Sequence, residues 1–102
     1  MPAPHNAVRG EVLLTIDGVE RRLCVTLGAL AELEAAFDVV SLTELSERLA
    51  QLTASDLLIV LSALCGGGGE PASTEELASA QIDAKAAANA VARAFQAAFA
   101  NV

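Results

Sequence analysis

Glu11-Val-Leu-Leu-Thr-Ile-Asp-Gly-Val-Glu-Arg-Arg-Leu-Cys-Val-Thr26 alternates on either side of Asp17-Gly18. That dipeptide supplies the positive φ angles of a two-residue type I′ turn, so the segment reads as a β-hairpin over residues 10–26. The turn sets the register: Ile16 pairs with Val19, Leu14 with Arg21 and Val12 with Leu23. One face then carries Val12, Ile16, Val19, Leu23 and Val25 and should meet the rest of the protein. The opposite face, with Glu11, Thr15, Glu20, Arg22, Leu13 and Cys24, is expected to be mostly wet.

Downstream of the hairpin the period changes from two to about 3.6. Thr26 caps a helix over 27–37, in which Leu27, Leu30, Glu34 and Phe37 share a stripe with Ala31 and Leu33 beside it. Ser41-Leu-Thr-Glu44 is a capping box that opens a second helix over 42–52, and Val40 and Leu45 stand at the positions of a hydrophobic staple. The apolar residues of that helix, Leu42, Leu45, Leu49 and Leu52, span too few heptads for a coiled coil, and packing within the chain is the preferred reading. Thr53 or Ser55 with Asp56 starts a third helix over 55–65, expected to be central, and Gly66–Gly69 ends it because glycine is unfavourable inside a helix. Residues 66–72 read as a flexible loop.

Ser73-Thr-Glu-Glu76 begins a short helix over 74–80, and a final helix over 83–100 carries a stripe of Ala84, Ala88, Val91, Phe95 and Phe99. This alanine-rich helix is either the last core helix or one wall of an apolar groove for another protein's helix. Residues 1–8, with two prolines and no periodicity, read as a frayed tail. The expectation is one α+β domain over 9–102, predominantly helical, with an N-terminal hairpin and four to five short helices.

At 102 residues there is length for one core. A hydrophobic fraction of 54% with only three aromatic residues makes that core thin and aliphatic. A net charge of −7, with the six cations scattered along the chain, disfavours nucleic acid and anionic lipid as partners. The longest strongly apolar run, Leu57–Cys65, is about half of the ~20 residues a membrane span needs. No secretory signal pattern is visible at the N-terminus, so a cytoplasmic protein with reduced Cys24 and Cys65 is expected.

Catalytic signals are weak. His5 is the lone histidine and lies in the tail, and two distant cysteines do not make a metal site. Glu70-Pro71 follows Gly66–Gly69 where a phosphate loop needs lysine and a hydroxyl residue. The acid pairs Glu32/Glu34, Glu44/Glu47 and Glu75/Glu76 fit helix N-termini and solvated faces. The reading is a non-enzyme without cofactor or metal.

Arg9-Gly-Glu-Val-Leu-Leu-Thr-Ile-Asp-Gly18 and Leu23-Cys-Val-Thr-Leu-Gly-Ala-Leu-Ala-Glu-Leu-Glu34 resemble a small family encoded in the tail-gene modules of gene transfer agents and related prophages. Ser41-Leu-Thr-Glu-Leu45, Ser55-Asp-Leu-Leu58, a glycine-rich break and an alanine-rich last helix follow the family's order. The resemblance implies a phage-like tail assembly chaperone acting between the major tail tube protein and the tape measure protein, shielding the latter without catalysis. The family is also described as a tail tube component, so a structural subunit is the alternative, and a small regulatory binding module is a third reading. The shortage of strands for a tube barrel favours the chaperone. Leu27, Leu30, Phe37, Val91, Phe95 and Phe99 are the candidate partner-binding residues, and a homo-oligomer is allowed but not specified.

Overall fold

The computed structural model describes residues 10–99, so the tail expected over 1–8 lies outside the described residues. Two strands, β1 (Val12–Ile16) and β2 (Val19–Leu23), are followed by α1 (Leu27–Phe37), α2 (Leu42–Leu49), α3 (Ala54–Gly67), α4 (Thr74–Ser79) and α5 (Ala84–Phe99). The expected α+β, predominantly helical fold is the observed one.

The hairpin has the register that the turn dictates, from Val12↔Leu23 to Ile16↔Val19. Asp17 and Gly18 adopt φ of 53° and 76°, the two positive values of a type I′ turn. Val12, Leu14, Ile16 and Leu23 are buried. Two expectations about the faces fail. Val19 is 58% exposed, because α3 engages β2 at its other end, where Gly67 and Gly68 meet Cys24 and Arg22. Cys24, expected on the wet face, is buried because the chain leaves β2 and turns beneath α3, donating its N–H to the Leu64 carbonyl at 3.1 Å.

Each helix start except that of α5 carries a side-chain cap at the position its sequence signals. Thr26 Oγ1 accepts from Ala29 N–H, Ser41 Oγ from Glu44 N–H, and Thr53/Asp56 and Ser73/Glu76 form complete capping boxes. Asp83 supplies the same function to α5, its carboxylate accepting from Ala86 N–H at 2.8 Å. The staple expected of Val40 and Leu45 does not form, since Leu45 is buried but Val40 is 88% exposed, and the capping box expected at Ser41 is incomplete because the Glu44 carboxylate takes the Val40 N–H and not that of Ser41.

α3 is central as expected, touching α1, α4, α5 and β2, and it contributes Val60, Leu61, Leu64 and Cys65 to the fully buried core. It runs two residues past the expected end. A Cβ at Gly67 would overlap the Cys24 carbonyl oxygen, and one at Gly68 the Arg22 carbonyl oxygen, so glycine lets the end of α3 lie directly on β2. The segment expected to be a loop is held at several points. Gly69 and Glu70 N–H groups return to the Gly66 and Cys65 carbonyls, the Glu70 carboxylate accepts from Arg22 N–H at 2.9 Å, and Ser62 Oγ donates to the Ala72 carbonyl at 2.7 Å.

α2 is shorter than expected, ending at Leu49, and the corner that follows is locked by an ion pair. Arg48 makes two hydrogen bonds to Asp56, at 2.6 and 2.9 Å, while its guanidinium lies over the Phe37 ring at 4.8 Å. This couples α1, α2 and α3 through one side chain. α5 lies along β1 and buries Ala87, Ala90, Val91 and Ala94, small residues that permit close approach to the sheet. Among the described residues, no helix is long and apolar enough to cross a membrane.

Candidate protein-binding groove

The core face of α5 is not the face that its phenylalanines mark. Ala87, Ala90 and Ala94 point inward, whereas Ala88, Ala92, Phe95 and Phe99 lie on a neighbouring stripe around the helix. Val91 stands where the two stripes meet. The phenylalanine stripe forms one wall of an open groove of about 770 Å³.

The opposite wall comes from α2 and the start of α3. Leu42, Leu45, Leu49 and Leu52 recur at spacings of three and four and all line the groove, joined by Leu57. Leu30 of α1 contributes from below. Leu45 and Val91 are buried, while Leu42 and Phe99 remain 51% and 44% exposed at the rim. Phe95 and Phe99 stack with ring centroids 6.3 Å apart, which keeps a broad apolar surface on this wall.

None of the lining residues is ionisable, and the hydroxyls of Ser46 and Thr53 are the polar side chains there. Thr53 Oγ1 is already used as the α3 cap. The groove therefore offers apolar contact and shape rather than proton transfer or metal ligation, and its dimensions suit the apolar face of a helix.

A family profile matches residues 9–101, and its description is phage tail tube protein, GTA-gp10. The chain belongs to this family. Membership makes it a phage-type tail protein of the gene transfer agent kind. No curated protein and no solved structure matches it.

Four of the six candidate binding residues of this tail protein, Leu30, Val91, Phe95 and Phe99, converge on the groove. The other two stand elsewhere. Leu27 is 85% exposed in the first turn of α1, and Phe37 is half-buried beneath Arg48. The short span of the leucine stripe Leu42, Leu45, Leu49 and Leu52 predicts packing within the chain, and Leu45 alone is fully buried that way. Leu49 and Leu52 are half-buried against the core and Leu42 alone is exposed, while the Arg48–Asp56 pair ties the end of α2 to the start of α3. Hydrogen bonds from Arg48 hold the Asp56 carboxyl below its ordinary pKa, so this pair stays charged at neutral pH. Cys65 is fully buried in the core, where burial pushes its thiol pKa up and favours the protonated form.

Proposed function

We propose that this tail protein acts in tail tube formation by non-catalytic protein binding, as a component of the tube that receives an apolar helical segment of another tail protein in the α2–α5 groove. The observation that carries the reading is the groove itself, whose two walls come from separate helices and whose rim leaves Leu42 and Phe99 partly open. Burying such a surface contributes about 25 cal/mol per Å² of apolar area. The family description favours the tube as the place of action. The tape measure protein is the natural occupant under this reading, because its helices are apolar before the tube surrounds them.

A second reading is a tail assembly chaperone that covers the same segment and then leaves. It is favoured by the two-stranded sheet, which supplies little strand for a shared barrel wall, and by the net charge of −7, which suits keeping an apolar partner soluble. Quantitative mass spectrometry of purified particles separates the two. A copy number in step with the tube rings supports the component, and trace levels with tails lost on gene deletion support the chaperone. For either, Phe95→Glu with Phe99→Glu should abolish capture of the tape measure protein while circular dichroism remains unchanged. Undiminished capture by a folded variant would reject the groove as the binding site.

A further inference from the structure

The two edges of the hairpin are treated differently by the rest of the molecule. With a two-residue loop, Ile16↔Val19, Leu14↔Arg21 and Val12↔Leu23 are the hydrogen-bonded pairs, so the peptide groups of Leu13 and Thr15 on β1 and of Glu20 and Arg22 on β2 face outward. β2 is closed along much of its length: Arg22 N–H is taken by Glu70, the Cys24 N–H beyond it by the Leu64 carbonyl, and Gly67 and Gly68 press against the Cys24 and Arg22 carbonyls. On β1, Leu13 and Thr15 have no hydrogen-bond partner among the described residues outside the hairpin.

A furrow of about 490 Å³ runs beside that open edge, between Leu13 and Thr15 on one side and Asp83, Ala86, Asn89 and Arg93 of α5 and its cap on the other. These α5 positions recur every three or four residues and form one stripe. The furrow is about as long as the strand, since α5 runs beside β1 from Gly10, near Ala97, to Asp17, bonded to Gln81. Its charges are not balanced. The Asp83 carboxylate is engaged at the N-terminus of α5, whereas Arg93 has no ion-pair partner among the described residues, although Arg22 and Arg48 each have one.

We propose that the open edge of β1 binds an extended segment of a partner protein by strand addition, with a carboxylate of that segment paired to Arg93. The outward N–H and C=O groups of Leu13 and Thr15 supply main-chain hydrogen bonds, and alternate side chains of the added strand lie over Ala86 and Asn89 in the furrow. The acid at the level of Arg93 fixes direction and register. A second copy of this chain fits less well, because each copy carries a net charge of −7 and the two repel. With the Arg22 and Cys24 N–H groups already taken, β2 leaves only the Glu20 peptide group facing outward, so β1 is the edge at which a strand is added.

This site is distinct from the α2–α5 groove and is tested separately. The probe is a short acetylated and amidated peptide alternating Thr and Val with one central Glu, titrated into the isotope-labelled full chain and followed by amide shifts and hydrogen exchange. Saturable shifts with slowed exchange at the Leu13 and Thr15 amides are expected. A peptide N-methylated at alternate residues should not bind, and Glu→Gln in the peptide or Arg93→Gln in the protein should weaken binding about two- to fivefold, without adding together. Thr15→Pro, tolerable at an outward edge position, should prevent protection of the edge. Should that variant unfold, the N-methylated peptide still decides. Equal binding by the N-methylated peptide, shifts centred on Leu42 and Phe99, or no protection of Leu13 and Thr15 would each overturn the proposal. The Phe95→Glu, Phe99→Glu protein should bind this peptide normally.

Discussion

Asp17 and Gln81, 64 residues apart in the chain, exchange two hydrogen bonds: Asp17 N–H donates to the Gln81 carbonyl at 3.0 Å, and Gln81 N–H donates to the Asp17 carboxylate at 2.7 Å. The hairpin turn is thereby fastened to the connection between α4 and α5. One residue both adopts the left-handed conformation required by the turn and positions the start of the last helix.

Replacing Asp17 separates these roles. Asn tolerates positive φ and keeps an oxygen acceptor, so Asp17→Asn should change stability by less than about 0.5 kcal/mol. Asp17→Ala loses both features and should cost about 1–2 kcal/mol. Urea denaturation of the two variants measures the difference, and equal midpoints would mean that the contact to Gln81 carries no weight.

The buried face of the hairpin is the second point of test. Leu23 is fully buried while Glu20 is exposed on the same strand. Leu23→Asp should destabilise the domain by about 2–5 kcal/mol and Glu20→Ala by less than about 0.5 kcal/mol. The comparison is made by chemical denaturation at one pH.

Neighbouring glycines in α3 should respond with opposite sign. A Cβ at Gly66 meets nothing, so Gly66→Ala should stabilise the helix by about 0.5–1 kcal/mol. Gly67→Ala drives a methyl group into the Cys24 carbonyl and should cost about 1–3 kcal/mol. Thermal unfolding of the pair checks this. Amide exchange on the parent chain should show Glu70 N–H, bonded to the Cys65 carbonyl, protected to a greater extent than that of the neighbouring Gly66–Gly67 surface would suggest.

Acid should weaken the fold in a defined direction. Arg48 lowers the pKa of Asp56, Arg22 N–H lowers that of Glu70, and Ser73 N–H lowers that of Glu76. Groups with depressed folded-state values contribute stability that is present above the ordinary carboxylate value of about 4 and is lost as pH falls through the folded-state value. The urea midpoint should fall between pH 5 and pH 3. Asp56→Asn should lower the midpoint at pH 7 and flatten this pH dependence, since it removes one titrating group.

Much of the local structure was legible because it is governed by short-range chemistry. Asp17-Gly18 specifies a turn by φ angles, Ser73 and Glu76 satisfy each other's neighbouring N–H groups, and the 3.6 period marks α1 and α5. Errors arose where a residue's surroundings come from far along the chain. Alternation puts Cys24 on the face opposite Leu23, and what buries it is the end of α3. Gly66–Gly69 reads as a helix stop, yet Gly67 serves close packing on β2. Val40 has the right spacing for a staple with Leu45, yet its side chain stays 88% exposed.

For the candidate site the division is similar. The sequence by itself determined an amphipathic α2, a two-residue hairpin and an alanine-rich α5 with phenylalanines on one stripe, because propensity and periodicity act within a few residues. Tertiary structure decided which of those apolar faces are covered. The Arg48–Asp56 pair ties α2 to α3 while Leu42 stays open, and α5 buries Ala87, Ala90 and Ala94 fully in the core while Phe95 is only partly buried against it and Phe99 remains exposed. At the hairpin, register followed from the turn, but which edge is closed depended on Glu70 and the glycines of α3 reaching β2, contacts that no local pattern encodes.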